Sequence, residues 1–329
     1  MGRVIEAPQG VIRISPVAGT MRRIEVTPAE GVHCPRRSCD CDYPDSLIDM
    51  IVATKGAAYL CDEILRDVEP LYIARAIEKA VLAYIDPAAS KGRRLLDFGA
   101  GSGAACSIIG RARPDLQIHG LELRPKSIEI ARARAAHYGL KNVTFERSPS
   151  GDSLPRDLGR FDYIMMSAVF EHLLPHERDQ LLPLLWRHLE RGGLFFLNQT
   201  PHRWFPIEWH TTGGLPLINY LPDGLAKLAA TRLSKKVDKG QDWPGLLRDG
   251  IRGSSEGEIL RIIRKSGGDA KKTYPDDPSL QDDLSLWRAS TSLHGGQRTK
   301  KLLYRVCVVL RRLTGLSLQP SLTLALRKV

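Results

Sequence analysis

The hydrophobic pattern divides the 329-residue chain into regions of different character. In residues 1–44, prolines interrupt short β-branched runs, which predicts an irregular, extended arm with room for one hairpin. In residues 45–90, apolar positions recur at intervals of three and four, which predicts a helical cap. From residue 91 to residue 200, short apolar runs alternate with amphipathic stretches, the pattern of strands that alternate with helices.

That alternation predicts an α/β fold, a parallel sheet with helices on both faces, in a domain that spans residues 91–329. Strands are expected at 94–98, 117–123, 143–146, 162–166 and 194–198, and helices at 104–113, 126–138 and 175–189. After residue 200 the alternation breaks, and insertions are expected at 200–250 and 276–315. Two further strands are expected at 270–274 and 321–326.

Composition narrows the class of protein. The chain is 43% hydrophobic and 26% charged, which is the balance of a globular protein with a substantial core. No run approaches the roughly 18 consecutive apolar residues of a spanning helix, and the first residues lack the apolar segment of a secretory signal. Six cysteines are too few for a disulfide framework, so we expect a reducing, cytoplasmic location.

Positive charge is concentrated at one end of the sequence. The net charge of +11 resides in residues 224–329, which hold 21 basic and 10 acidic side chains. Within segment 300–313, positions 302, 303, 306, 310 and 313 form an apolar helical face with flanking cations. The favoured interpretation is a helix packed on the sheet, with Lys and Arg stems over apolar surface. Peripheral contact with an anionic membrane is the alternative that the same pattern suits. Nucleic-acid binding is not favoured, because no basic motif studded with aromatic residues is present.

The strongest chemical pattern is a glycine turn between a strand and a helix. Gly99, Gly101 and Gly103 follow the strand 94–98. Because these positions carry no side chains, backbone N–H groups can approach a ligand closely. The spacing lacks the last glycine of the dinucleotide fingerprint. Asp97 would repel a pyrophosphate but can accept a hydrogen bond from an α-amino group.

A carboxylate ends the next strand. Glu122 lies 19 residues after Gly103, where it can accept hydrogen bonds from both hydroxyls of a ribose. Nicotinamide-dependent enzymes also use such a carboxylate. An enzyme of that kind is therefore the competing interpretation of the glycine turn together with Glu122.

This combination resembles the class I S-adenosylmethionine-dependent methyltransferases, in the branch that includes ubiquinone biosynthesis. Residues 151–155 are similar to the family's Gly-Asp-x-x-Leu-Pro loop, residues 161–173 to its fourth-strand motif, and residues 189–194 to its Gly-Gly turn. The resemblance implies a Rossmann-like seven-stranded sheet whose last strand is antiparallel and lies beside the sixth. It implies S-adenosylmethionine as the cofactor, held by Asp97, Gly99, Ala100, Gly101, Gly103, Glu122, Leu123, Asp152, Ser153 and Ser167. Asp152 would face the adenine, with Ser148 as the alternative.

The methyl acceptor is expected to be a small or lipid-linked molecule methylated on oxygen, such as a glycan intermediate or a quinone-like phenol. The Asn/Asp-Pro-Pro-Tyr/Phe motif typical of base N-methylation is absent after the fourth strand, at residues 167–170. Transfer to oxygen needs a general base or an ionised acceptor. The imidazoles in reach are His172, His202 and His210, of which His172 and His210 are the candidate catalytic residues.

The insertion after the fifth strand is the candidate acceptor site. Residues 200–222 hold four of the chain's 21 aromatic residues, at the carboxyl edge of the sheet where ligands bind in α/β folds. We expect Arg203, Trp204, Glu208 and Trp209 to contact the acceptor. A hydrophobic plug over the sheet is the alternative.

Other interpretations stay open at this stage. Cys34, Cys39 and Cys41 form an irregular cluster without the paired spacing of structural zinc, so no metal site is predicted and the thiols are expected to be free. The functional alternatives are an RNA methyltransferase that uses the basic C-terminal third and a non-catalytic, membrane-associated module that has kept the cofactor pocket.

Overall fold

The N-terminal region is a small antiparallel sheet. The computed structural model describes residues 2–32, 38–293 and 296–329. The sheet has the order β1 (Arg3–Ala7), β2 (Gly10–Ala18), β3 (Met21–Pro28) and β4 (Ser38–Cys41). The prediction of an irregular arm over residues 1–44 was therefore wrong. Pro8 lies in the turn between β1 and β2 and Pro28 ends β3, so these prolines do not interrupt the paired backbone that buries Ile12, Ile14 and Ile24.

The helical cap follows and shares a core with this sheet. It consists of α1 (Asp45–Lys55), α2 (Leu60–Val68), a π-helical segment at Pro70–Ala74 and α3 (Arg75–Ala80). Leu47 and Ile51 of α1 and Ile64 of α2 are buried against the isoleucines of β2 and β3. The sheet and the cap share one hydrophobic core, and together they are called the N-terminal layer below (residues 3–80). The domain boundary between them at residue 45 stays a prediction.

The central element is a seven-stranded sheet. The first five strands in this part of the chain are β5 (Arg94–Phe98), β6 (Gln117–Glu122), β7 (Val143–Arg147), β8 (Phe161–Ser167) and β9 (Leu189–Pro201). Two short strands follow, β10 (Ile207–Glu208) and β11 (Leu215–Pro216). The last two strands are β12 (Ala270–Thr273) and β13 (Ser321–Lys328). The sheet has the order β12-β13-β9-β8-β5-β6-β7, while β10 and β11 pair separately. β5 to β9 are parallel, and β13 is antiparallel to both β9 and β12. The predicted seven-stranded fold with an antiparallel last strand beside the sixth is confirmed.

Helices cover both faces of the sheet. The helices after the cap are α4 (Ala104–Ala112), α5 (Pro125–His137), α6 (Pro175–His188), α7 (Asp223–Leu233), α8 (Trp243–Arg248), α9 (Glu256–Lys265), α10 (Asp283–Ser290) and α11 (Gln297–Thr314). Of these, α7 and α8 pack together in a separate cluster with the insertion. Successive strand residues point to opposite faces. Leu96 therefore packs with the core of α6 and α9, whereas its neighbour Leu95 packs with the core of α3, α4 and α5.

The last helix is only partly covered. α11 packs through Leu303, Tyr304, Cys307 and Val308 in a cluster with Leu284 of α10 and with Phe205. Its opposite side leaves Leu302, Val306, Val309 and Leu313 exposed. Of the helices in the described residues, none combines the length with the apolar character that crossing a bilayer requires.

The cysteines contribute to packing. Cys39, Cys41 and Cys61 are buried in the N-terminal layer, and the five described cysteines form no disulfide among themselves. Cys34 lies outside the described residues. Burial raises the pKa of Cys41 to about 11, which keeps it a neutral thiol.

Candidate active site

A cavity of about 490 Å³ opens at the carboxyl ends of β5, β6, β8 and β9. This volume falls within the usual range for small-molecule sites, about 300–1,000 Å³. Of the predicted cofactor residues, those that line it are Asp97, Gly99, Ala100, Gly101, Glu122, Leu123 and Ser167. These residues come from three separate segments of sequence, which meet at one cavity because parallel strands bring their carboxyl ends to one edge of the sheet.

The glycine turn needs its glycines for two different reasons. All three have left-handed backbone, with φ of 81° at Gly99, 56° at Gly101 and 78° at Gly103. A Cβ at Gly99 would lie 2.4 Å from Val169 Cγ2, and one at Gly103 would lie 2.7 Å from Ala131 Cβ. At Gly101 a Cβ would meet nothing within 4 Å. Gly99 and Gly103 therefore serve close packing, while Gly101 keeps a space open beside the cavity.

Glu122 is fixed between this turn and the start of α5. One carboxylate oxygen accepts a hydrogen bond from Gly101 N at 2.9 Å and the other accepts one from Arg124 N at 2.9 Å. Each oxygen keeps further lone-pair capacity toward the cavity, because a carboxylate has about four acceptor positions. The carboxylate is thus oriented in advance for two hydroxyl donors.

Asp97 is a fully buried acid at the end of β5. Burial, with a smaller contribution from the charge of Glu122, raises the pKa of Asp97 to about 7. A hydrogen bond from Cys106 Sγ at 3.2 Å acts in the opposite direction. Asp97 therefore changes charge close to neutral pH.

The loop after β7 puts serines, rather than the predicted aspartate, at the cavity. Ser148, Ser150 and Gly151 line it, whereas Asp152 and Ser153 do not. Ser150 Oγ lies 2.6 Å from Asp152 Oδ1, to which it donates, and 2.6 Å from Ser153 Oγ. Asp152 consequently lies behind Ser150, which favours the Ser148 alternative for the adenine-facing position.

The N-terminal layer supplies charged residues that the sequence gave no reason to select. Lys55, Glu63 and Arg66 line the same cavity. Glu63 receives a hydrogen bond at 3.0 Å from the fully buried Arg134, which also donates to the backbone oxygen of Ser102 in the glycine turn. These contacts join α2, α5 and the turn, and such long-range pairings leave no local pattern in the chain.

Glu171, His172 and His210, hereafter the His–Glu cluster, lie together at the cavity edge. His172 lines the cavity, and His210 approaches it from the insertion, with the ring centroids 5.4 Å apart. His172 Nε2 lies 3.8 Å and His210 Nε2 lies 4.0 Å from Glu171 Oε1. The two histidines predicted to be catalytic are thus brought together, with a buried glutamate that the sequence interpretation left out.

The other ring nitrogens of the two histidines are held by the backbone. His172 Nδ1 donates to the oxygen of Arg248 at 2.6 Å, and His210 Nδ1 donates to that of Asp249 at 2.9 Å. A carbonyl oxygen only accepts, so Nδ1 carries the proton in both rings. Each Nε2 is therefore left to act on a ligand. In contrast, burial lowers the pKa of His202 to about 4, which keeps that ring neutral.

The insertion forms a second cavity of about 240 Å³ beside the first. Of the predicted acceptor contacts, Glu208 and Trp209 line it, but the Glu208 carboxylate accepts from the backbone N–H groups of its own loop at residues 211 and 212. Arg203 and Trp204 line neither cavity; the Arg203 guanidinium lies 4.7 Å from the Trp204 ring centroid. Gln199, with a left-handed φ of 64°, borders both cavities.

Comparison with known proteins places the glycine turn and the first five strands of the sheet in context. Residues 96–195 match the model of a methyltransferase domain family. Carboxy-S-adenosyl-L-methionine synthase of Campylobacter curvus is 27% identical over 139 residues, which are 42% of this chain and 56% of that protein. Ajmaline N-methyltransferase of Rauvolfia serpentina is 30% identical over 134 residues, 40% of this chain and 45% of that protein.

A longer match is found with a third relative. Ubiquinone biosynthesis O-methyltransferase of Bordetella avium is 25% identical over 179 residues, which are 54% of this chain and 71% of that protein. The chain spans about half the length of the other two relatives. The three names include a synthase, an N-methyltransferase and an O-methyltransferase, so similarity alone leaves the acceptor atom open.

Proposed function

Since residues 96–195 form a methyltransferase domain of the class I, S-adenosylmethionine-dependent kind, we propose that this chain methylates an oxygen of a small or lipid-linked acceptor. One observation supports the proposal more than any other. The glycine turn, Asp97 and Glu122 border a single cavity at the carboxyl edge of the parallel sheet.

The residues around the cavity fit the cofactor group by group. Glu122 has acceptor positions for two ribose hydroxyls, and Asp97 can accept from the α-amino group. Lys55 and Arg66 place positive charge at the cavity, which suits the carboxylate of the amino-acid end. The space beside Gly101 admits a ligand against the backbone.

The His–Glu cluster is the group best placed to activate an acceptor hydroxyl. When bound, the cofactor supplies an electrophilic methyl group on a sulfonium. The Nε2 atom of His172 or His210 can receive the hydroxyl proton, and the nearby Glu171 carboxylate stabilises the imidazolium that results. The remaining barrier is lowered mainly by positioning the oxygen in line with the methyl group.

The uncovered side of α11 supports a lipid-linked acceptor. Exposed apolar residues at 302, 306, 309 and 313 are flanked by exposed cations at 298, 301, 305 and 312. This arrangement matches an anionic bilayer surface, where apolar side chains enter the interface and cations meet the headgroups. We propose that the enzyme meets its acceptor there as a peripheral protein.

Calorimetric titration with S-adenosylmethionine and S-adenosylhomocysteine tests the cofactor assignment. We expect binding that Glu122→Ala weakens at least tenfold, about 1.4 kcal/mol. Glu146→Ala is the matched control, because that exposed carboxylate on the neighbouring strand β7 pairs with His119, outside the cavity. Absence of binding by both ligands, or equal weakening by both substitutions, would contradict the assignment.

A transfer assay tests the acceptor atom. The protein is incubated with methyl-labelled cofactor and panels of phenols, sugars and amines, with and without vesicles. Label in a methyl ether of a phenol or sugar hydroxyl supports the proposal, whereas label only in amines contradicts it.

A further inference from the structure

We propose that the His–Glu cluster binds a divalent transition-metal ion at the edge of the cofactor cavity. Glu171, His172 and His210 each offer a ligand atom, and these atoms lie within 4.8 Å of one another. Two imidazoles and one carboxylate form a metal-binding set that leaves open coordination positions for a substrate. Imidazole nitrogen selects first-row transition ions over Mg²⁺ and Ca²⁺, which prefer oxygen ligands.

The glutamate is the observation that points to a bound cation. Glu171 is completely buried, and its Oε2 accepts a hydrogen bond from Thr200 Oγ1 at 2.8 Å. Its Oε1 has no hydrogen-bond donor among the described residues. The distances of 3.8 and 4.0 Å to the two imidazole Nε2 atoms are too long for hydrogen bonds. A buried acceptor without a partner destabilises the fold, more so if it is charged, and an ion between these three groups removes that cost.

The surroundings hold the histidines in the orientation that a metal needs. Metal-binding histidines almost always donate their second ring N–H to a carbonyl, a carboxylate or water. Here the Nδ1 atoms donate to the backbone oxygens of Arg248 and Asp249, so both Nε2 lone pairs are available. Gly250, with φ of 91°, follows directly, and a Cβ there would lie 2.8 Å from His210 Nδ1 and 3.2 Å from Glu171 Cγ. The backbone of this loop therefore packs tightly behind the cluster.

The role of the ion rests on the proposed function, although its binding does not. An acceptor hydroxyl that coordinates the ion has a lowered pKa and releases its proton to water. The oxygen then forms a bond to the methyl carbon of the cofactor, while the carbon–sulfur bond breaks and its electron pair stays on sulfur. In this arrangement the two imidazoles are ligands, and the ion replaces a general base as the activating group.

Binding of Co²⁺ tests the site without any methyl transfer. The full chain is dialysed against EDTA and then titrated with Co²⁺, followed by calorimetry and by visible absorption of the coordinated ion. We expect one Co²⁺ per chain, with binding weakened at least tenfold by His172→Ala and by His210→Ala. His176→Ala, an exposed histidine on α6 outside the cluster, is the control that leaves binding unchanged.

The possible results separate the two proposals. Absence of Co²⁺ binding, or binding that neither cluster substitution weakens, overturns the metal site. Thermal unfolding and S-adenosylmethionine titration of each variant report whether it is folded. Cofactor binding without Co²⁺ binding contradicts the ion alone, and Co²⁺ binding without cofactor binding supports the metal site while contradicting the proposed function.

Discussion

Asp97 shows how a single residue can serve binding at the expense of stability. A carboxylate buried without a cationic partner is costly, and that cost accounts for its pKa of about 7. In the complex that we propose, the α-amino group of the cofactor supplies the missing partner. Binding is therefore coupled to the charge of one side chain in the physiological pH range.

We expect cofactor affinity to depend on pH through this residue. At pH 8 Asp97 is mostly charged; from pH 7 to pH 6 the dissociation constant for S-adenosylmethionine rises up to about tenfold, because protonation removes the acceptor. Asp97→Asn should bind more weakly and show a flatter profile. Calorimetry across this range measures both, and an unchanged profile in the variant would assign the dependence to another group.

The same residue has an effect of opposite sign on the unliganded protein. Its folded-state pKa lies above its ordinary value of 3.8, so the folded state binds the extra proton between about pH 4 and 7. Its contribution to the free energy of unfolding therefore falls as pH rises through that window. The pH dependence of unfolding should therefore be measured for Asp97→Asn both with and without S-adenosylmethionine.

Sequence interpretation succeeded at this scale where chemistry depends on local spacing. The glycine turn, Asp97 and Glu122 follow strands directly, so their meeting at one cavity could be anticipated from β–α alternation alone. Glu171 was passed over, although it is adjacent to His172 in sequence. Its partners are Thr200 near the end of β9 and His210 in the insertion, and only tertiary folding brings them together.

At the scale of elements, Arg134 joins the N-terminal layer to the cofactor turn. It is completely buried on α5, donates to Tyr43 Oη at 2.9 Å and contacts Glu63 and Asp67 at 3.0 and 3.4 Å. It also donates to the backbone oxygens of Ser102 and Glu63. Four segments of the chain therefore depend on one guanidinium.

We expect Arg134→Ala to destabilise the fold by about 3–5 kcal/mol, because it leaves two buried carboxylates without their cation. Arg132→Ala is the control on the same helix; that side chain is exposed, and its loss should cost no more than about 1 kcal/mol. Urea unfolding measures both values. Equal destabilisation by the two substitutions would show that the buried network has no special role.

The elements that the sequence predicted well are those whose pattern is local. In the strands and helices between residues 94 and 201, the spacing of apolar residues matches the side of each element that is buried. The order of these elements could therefore be inferred from the sequence. The N-terminal sheet was missed because its prolines suggested an irregular segment. In the structure Pro8 lies in a turn, Pro28 ends β3, and Pro16 lies within β2 beside an irregularity in its pairing with β3. For α11, three of the five predicted apolar positions, 302, 306 and 313, are exposed, and the opposite side of the helix packs against α10 and Phe205.

At the scale of the whole molecule, the distribution of charge and the exposed face of α11 predict where the protein acts. All of the net charge of +11 lies in residues 224–329, and Leu313 on α11 is 78% exposed. An exposed apolar stripe beside cations is typical of a protein surface that contacts the interface between a bilayer and water.

We expect the protein to bind vesicles that contain phosphatidylglycerol and not vesicles of phosphatidylcholine alone. The double substitution Val306→Asp with Leu313→Asp should weaken binding at least tenfold without lowering the melting temperature, since both side chains are exposed. Leu225→Asp with Leu233→Asp on α7 makes the same change of charge at two other exposed positions. Sedimentation with vesicles compares them, and equal losses would assign binding to net charge alone.

The position of β13 has a consequence for how the chain is made. This strand, residues 321–328, lies between β9 and β12, so it is inserted into the sheet rather than added at its edge. A chain still emerging from the ribosome has completed β9 long before β13 is available. Until then the hydrogen-bonding edge of β9 on that side is open, and open strand edges recruit other chains. We therefore expect the open edge of β9 to need shielding from other chains until β13 enters the sheet.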